Sequence, residues 1–217
     1  DYFTALVDDP FIFAQICLKH CLGDLYAMGA QPHTVLALVQ VPYATPTKQA
    51  EMLYQILAGT YKGLLSANAP LVGGHTVVGP PLAQGKAKGR WIEAAIAPML
   101  TPHQAAAEIF RAHGATACTD VTGFGLAGHL LEMVRASSVV ATLNLAALPI
   151  LPGAVDTLAA GVFSTLHTQN LQAAAFIDPA RADHPLYPLL FDPQTAGGLL
   201  AAVPAVAAQA CLNALHS

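Results

Sequence analysis

The stretch CTDVTGFGLAGH, residues 118–129, sets one carboxylate between a short apolar run and a glycine-broken turn. ATACTDV ahead of the turn reads as a strand, and LAGHLLEMVRAS after it keeps helical spacing, so the local order is strand, turn, helix. Gly123 and Gly125 let the backbone approach a ligand closely, and the free N–H groups at a helix start favour an anion. Asp120 would repel a bare phosphate, yet it suits one that carries Mg²⁺, an ion that takes one or two carboxylates plus phosphate oxygens and water. Two readings of Asp120 stand side by side here. It is a metal-carrying residue at a nucleotide phosphate site, or it merely caps a turn, since glycine patterns alone are weak signals.

Working outward, the 217 residues are 54% hydrophobic and only 10% charged, which excludes a disordered chain and allows a sizeable core. A net charge of −4 with nine Lys plus Arg leaves no electrostatic footprint for nucleic acid. The most apolar stretch, 199–215, is mostly alanine and is broken by Pro204, Gln209 and Asn213, so no membrane span is expected. Cys17, Cys21, Cys118 and Cys211 make no disulfide framework, and a cytoplasmic location is the simpler expectation. Cys17, His20 and Cys21 share a helical face as a conceivable metal half-site, but no second Cys or His pair completes it.

Toward the N-terminus, an acidic start and Pro10 introduce a helix that ends at Gly29. HTVLALVQV (33–41) predicts a buried strand, and Thr45 with Pro46 opens a long helix through Leu65. APLVGGHTVV (69–78) predicts a second strand. The Gly- and Pro-rich segment 79–90 marks a boundary, giving units 1–84 and 85–217. Beyond it, Thr101 and Gln104 predict a capping box with Pro102 as the first helical residue. ATLNLAAL (141–148) alternates weakly like a strand, and DPQTAGGLLAAV (192–203) pairs an acidic turn beginning at Asp192 with an apolar run. Helices alternating with strands place the chain among α+β or α/β layer folds.

Five blocks carry a resemblance: DLYAMGA (24–30), LVGGHTV (71–77), TDVTGFGLAGHLLEM (119–133), GVFSTLHTQN (161–170) and DPQTAGGLL (192–200). In this order they resemble the selenophosphate synthetases, also called selenide, water dikinases. The resemblance implies a two-domain fold like that of aminoimidazole ribonucleotide synthetase, with an N-terminal α+β domain that pairs across a homodimer and a C-terminal α/β domain, both incomplete here. It implies that ATP, selenide and water become selenophosphate, AMP and phosphate. By the same resemblance Asp24 and Asp120 match magnesium-binding aspartates, and Asp1 matches an acidic residue that contacts nucleotide. Gly73, Gly74 and His75 match the segment that reaches ATP from the partner subunit.

Departures from the family are equally specific. The family's upstream segment with a reactive cysteine or selenocysteine, a lysine and a further aspartate has no counterpart, so no catalytic nucleophile is assigned. A stretch between GGHT and KGRW is expected to be missing, as is the family's last strand. His20 stands where asparagine is usual, Gly23 replaces serine, and Val78 replaces a common glutamate. Two further readings are a non-catalytic dimerising remnant or fragment, and another ATP-using enzyme of the same superfamily.

Overall fold

The computed structural model describes residues 4–79, 89–164, 166–178 and 182–217. Asp1 and the 84/85 boundary lie outside the described residues. The first helix, α1 (Pro10–Ala27), starts where Asp9 accepts a hydrogen bond from the Ile12 N–H at 3.0 Å and Pro10 occupies the first turn. Strand β1 (Val35–Pro42) follows, then α2 (Pro46–Ala67), then β2 (Leu71–Gly79), which runs parallel to β1 as a two-stranded ribbon. A helix between two parallel strands is the connection that parallel pairing demands.

Helices α1 and α2 pack face to face because small residues line the contact. A side chain at Gly59 would run into the Phe11 carbonyl, and one at Gly63 would meet the Leu18 side chain. Leu18, Leu22, Tyr26, Leu64, Ala67 and Ala69 form the core between them, closed by Val35, Leu71 and Ala107. The ribbon buries one face only. Leu36 and Leu38 on β1 and Val72 on β2 are 69%, 74% and 58% exposed, while Val41 is 2% exposed.

The second half comprises α3 (Gly89–Met99), α4 (Gln104–Ala112), β3 (Ala117–Asp120), α5 (Gly125–Ser137), α6 (Ala154–Ala159), α7 (His167–Asn170), β4 (Leu199–Ala202) and α8 (Ala205–Leu215), with short 3₁₀ turns between α5 and β4. Strands β3 and β4 are antiparallel, so Asp120 sits opposite Leu199 at the end of the ladder. Ala127, Leu190 and Phe191 form a second core beneath α5. Among the described residues no helix is long and apolar enough to cross a membrane.

Two local expectations fail. The capping box does not form: Thr101 Oγ1 donates back to Ala97 O at 3.2 Å, Gln104 bonds Glu108, and α4 begins after His103. The preceding helix claims the Thr101 hydroxyl before the next can use it. Residues 141–148 form no strand, because Asn144 accepts from the Ala146 N–H and curls the chain into a 3₁₀ turn at Leu145–Ala147.

Gly59→Val should lower the stability measured by urea unfolding by about 1–3 kcal/mol through overpacking against α1. Ala50→Val, at an exposed position of α2, should cost no more than helix propensity, roughly 0.6 kcal/mol. Equal losses at the two positions would contradict the close approach at Gly59.

Candidate active site

Asp120 lies at the C-terminal end of β3 with 6% of its surface exposed, while Asp24, in the last turn of α1, is exposed. Burial raises the Asp120 carboxyl above its usual range, and the negative charge of Asp24 raises it further. Gly23 lets α1 come close to Asp120. A Cβ at Gly23 would stand 3.1 Å from Asp120 Oδ2 and 3.6 Å from His103 Nδ1. A buried carboxylate raised in this way, where separate elements meet, marks a candidate functional site.

The backbone around Asp120 is tied down from several sides. Val121 N–H donates to Gly198 O at 2.9 Å, and Gln194 N–H donates to Thr122 O at 2.9 Å, lacing the TDVTGFG turn to the DPQTAGG turn. His129 of α5 folds back so that its Nε2 accepts the Thr122 N–H at 3.0 Å. Asn170 Nδ2 donates to Gly123 O at 2.9 Å and to Phe191 O at 3.0 Å, clamping the turn to the floor of the second core. Gly125 has a φ of +69° with the carbonyls of Leu190 and Asp192 against its missing Cβ, so only glycine fits there.

His20 ties α1 to the same assembly. Its Nδ1 accepts the Ala196 N–H at 2.9 Å, and Ala196 is itself 3% exposed with a φ of +46°. Burial pushes His20 below the usual histidine range, against the opposing pull of Asp120 and Asp24. The ring is therefore neutral at pH 7, with its one N–H proton on Nε2.

The geometry sorts the residues expected from sequence. Asp120 lies against Gly23, the residue next to Asp24. Gly73, Gly74 and His75 are exposed on β2, paired with Leu36, Ala37 and Leu38, and the contacts around Asp120 involve none of them. Cys17 and Cys21, one helical turn apart, influence each other, which raises the Cys17 thiol and lowers that of Cys21. His20 is engaged elsewhere, and among the described residues no group of three His, Cys, Asp or Glu side chains is arranged to hold a metal. Two carboxylates with no third protein ligand still suit Mg²⁺, which draws its remaining ligands from phosphate and water. Asn170 and His103 carried no sequence signal of their own: Asn170 lies inside a recognised block without a role, and a capping pattern stood over His103.

The family models of AIR synthase related proteins match the whole length, the N-terminal domain over residues 1–91 and the C-terminal domain over residues 92–217. The selenide, water dikinase of Shewanella sp. (strain ANA-3) is 32% identical, with 94% of this chain and 69% of the relative covered. That of Geobacter sp. (strain M21) is 35% identical over 92% of this chain and 70% of the relative. This chain belongs to the selenide, water dikinase family. The alignment to the Shewanella selenide, water dikinase runs over 245 positions against 217 residues here, so the relative carries internal positions without a counterpart. Among solved structures, the hydrogenase maturation protein HypE matches with a TM-score of 0.59 at 15% identity, covering 94% of this chain and 69% of that one. HypE in complex with ATP gives 0.61 at 15% identity, covering 94% and 67%. These structures support the AIR synthase-like fold.

Replacing His20 by leucine leaves the buried Ala196 N–H without an acceptor and should cost about 1–3 kcal/mol. Asparagine can supply an oxygen and should cost less. Because the folded His20 titrates below its unfolded value, its contribution is full above the ordinary histidine pKa and fades as pH falls through the folded one. Urea unfolding between pH 7 and pH 5 should therefore show a shallower loss in His20→Asn than in the native chain. Identical slopes would remove His20 from the account.

Proposed function

We propose that the chain catalyses ATP-dependent formation of selenophosphate from selenide and water, with release of AMP and phosphate. The observation that carries this reading is the buried Asp120 ahead of the glycine turn that opens α5, lying against Gly23, the residue before Asp24. Magnesium bound there would neutralise charge on the phosphate chain and hold it in line for transfer. Asp120, fixed at the end of β3, and Asp24, open to solvent, supply the hard oxygen donors. The turn at 121–125, held by His129, Asn170 and the DPQTAGG segment, keeps the start of α5 in place toward the phosphates. Neutral His20 fixes the position of Ala196 and adds no positive charge of its own.

The same reading makes the molecule a homodimer in the cytoplasm, in keeping with its four free cysteines. The exposed apolar face of the β1–β2 ribbon is the surface a second copy would cover, and Gly73, Gly74 and His75 on it would reach the partner's nucleotide. Asp1 would complete the nucleotide contacts.

Calorimetric titration with a non-hydrolysable ATP analogue tests this directly. Binding should depend on Mg²⁺, and Asp24→Asn and Asp120→Asn should each weaken it at least tenfold, about 1.4 kcal/mol. A folded dimer that leaves the nucleotide unbound would instead favour the non-catalytic reading.

A further inference from the structure

Helix α2 buries Gly59, Thr60, Gly63, Leu64 and Ala67. Away from that face Tyr54, Tyr61 and Leu65 are 69%, 63% and 61% exposed, and Leu57 is partly exposed. The four follow one another at steps of three, four and four residues, the steps that stay on one side of a helix. A single exposed apolar residue needs no explanation, but a seam of four marks a contact surface. Glu51 and Lys62 stand together on one flank of this seam. They are eleven residues apart, about three turns, and so project in nearly the same direction. Both are exposed, and neither is in an ion pair among the described residues.

We infer that α2 docks on α2 of a second copy of this chain, antiparallel, about a two-fold axis that passes beside Leu57. A two-fold contact uses the same patch on both copies, so the patch must complement itself. Charge decides the direction. An antiparallel pair centred midway between positions 51 and 62 sets Glu51 beside Lys62 of the partner subunit, and the axis repeats that pair on the other side. A parallel pair would set each residue level with its own copy and leave the acid and the base about three turns apart. The centre that pairs the charges also falls inside the apolar seam. In that register Tyr54 of one copy enters between Leu57 and Tyr61 of the other, and Tyr61 enters between Ala50 and Tyr54, as knobs enter holes. Tyrosines suit such a contact, since they bring large rigid rings. The surface lies on α2 and not on the β1–β2 ribbon, so it does not rest on the homodimer proposed there.

Sedimentation equilibrium of the full chain tests the contact, with Leu38→Glu introduced so that association through the exposed ribbon face is removed. The Leu38→Glu chain should still form a dimer. A chain that is monomeric in that background would overturn the proposal, whatever the ribbon does. Tyr61→Asp, which puts a charge in the seam, should abolish the dimer. Glu51→Lys and Lys62→Glu should each weaken it about fivefold or more, because each turns two attractive pairs into repulsive ones. Carrying both reversals together restores opposite charges across the axis and should return the dissociation constant close to its starting value. These side chains are exposed, so far-ultraviolet circular dichroism should show the same helix content in every variant. Losses that accumulate in the double reversal, or a dimer indifferent to all of these changes, would overturn the antiparallel contact.

Discussion

The structure turns on the approach of α1 to a buried carboxylate. Asp120 is buried at the end of β3, Gly23 of α1 lies against it with Asp24 next in the chain, and each is held by an element with its own reasons to be there. Burial and the negative charge of Asp24 raise the proton affinity of Asp120. The backbone fixes both positions: Asp24 belongs to a helix locked against α2 through Gly59 and Gly63, and Asp120 belongs to a ladder with β4.

That arrangement asks for a rigid surround, and the hydrogen bonds supply one. The two glycine turns are each poor in side chains that could define their shape. They define one another through main-chain bonds, at Val121 with Gly198 and at Gln194 with Thr122. Side chains from outside complete the job: His129 takes the Thr122 N–H, Asn170 spans Gly123 and Phe191, and His20 takes the Ala196 N–H from across the boundary between the two halves. A turn built this way is pre-organised, and pre-organisation is what phosphoryl transfer requires of a protein.

Much of this was legible in the sequence where local pattern and tertiary role coincide. Strand, turn and helix around Asp120 follow from apolar spacing and glycine placement, and the same holds for α1, β1, α2 and β2. The weakly alternating run at 141–148 was misread because alanine-rich alternation says little about strands, and Asn144 bonds locally instead. His103 was hidden for a different reason. Thr101, Pro102 and Gln104 offered a complete local explanation of the helix start, and only the packing of α4 against α1 turns the histidine inward. Asn170 was hidden because its two acceptors are 47 and 21 residues away.

The histidines settle the sign of the site. His20 and His103 are both driven by burial below their usual range, so at neutral pH they offer lone pairs rather than positive charge. Lys19, the cation on the same helix, spends its ammonium on Ser66 Oγ at 2.9 Å. Among the described residues no lysine or arginine is paired with either aspartate, so neither acid is neutralised by an ion pair. On the magnesium reading proposed above, a phosphate that arrives with a divalent cation would meet the Asp120 carboxylate and neutral rings that do not compete for it.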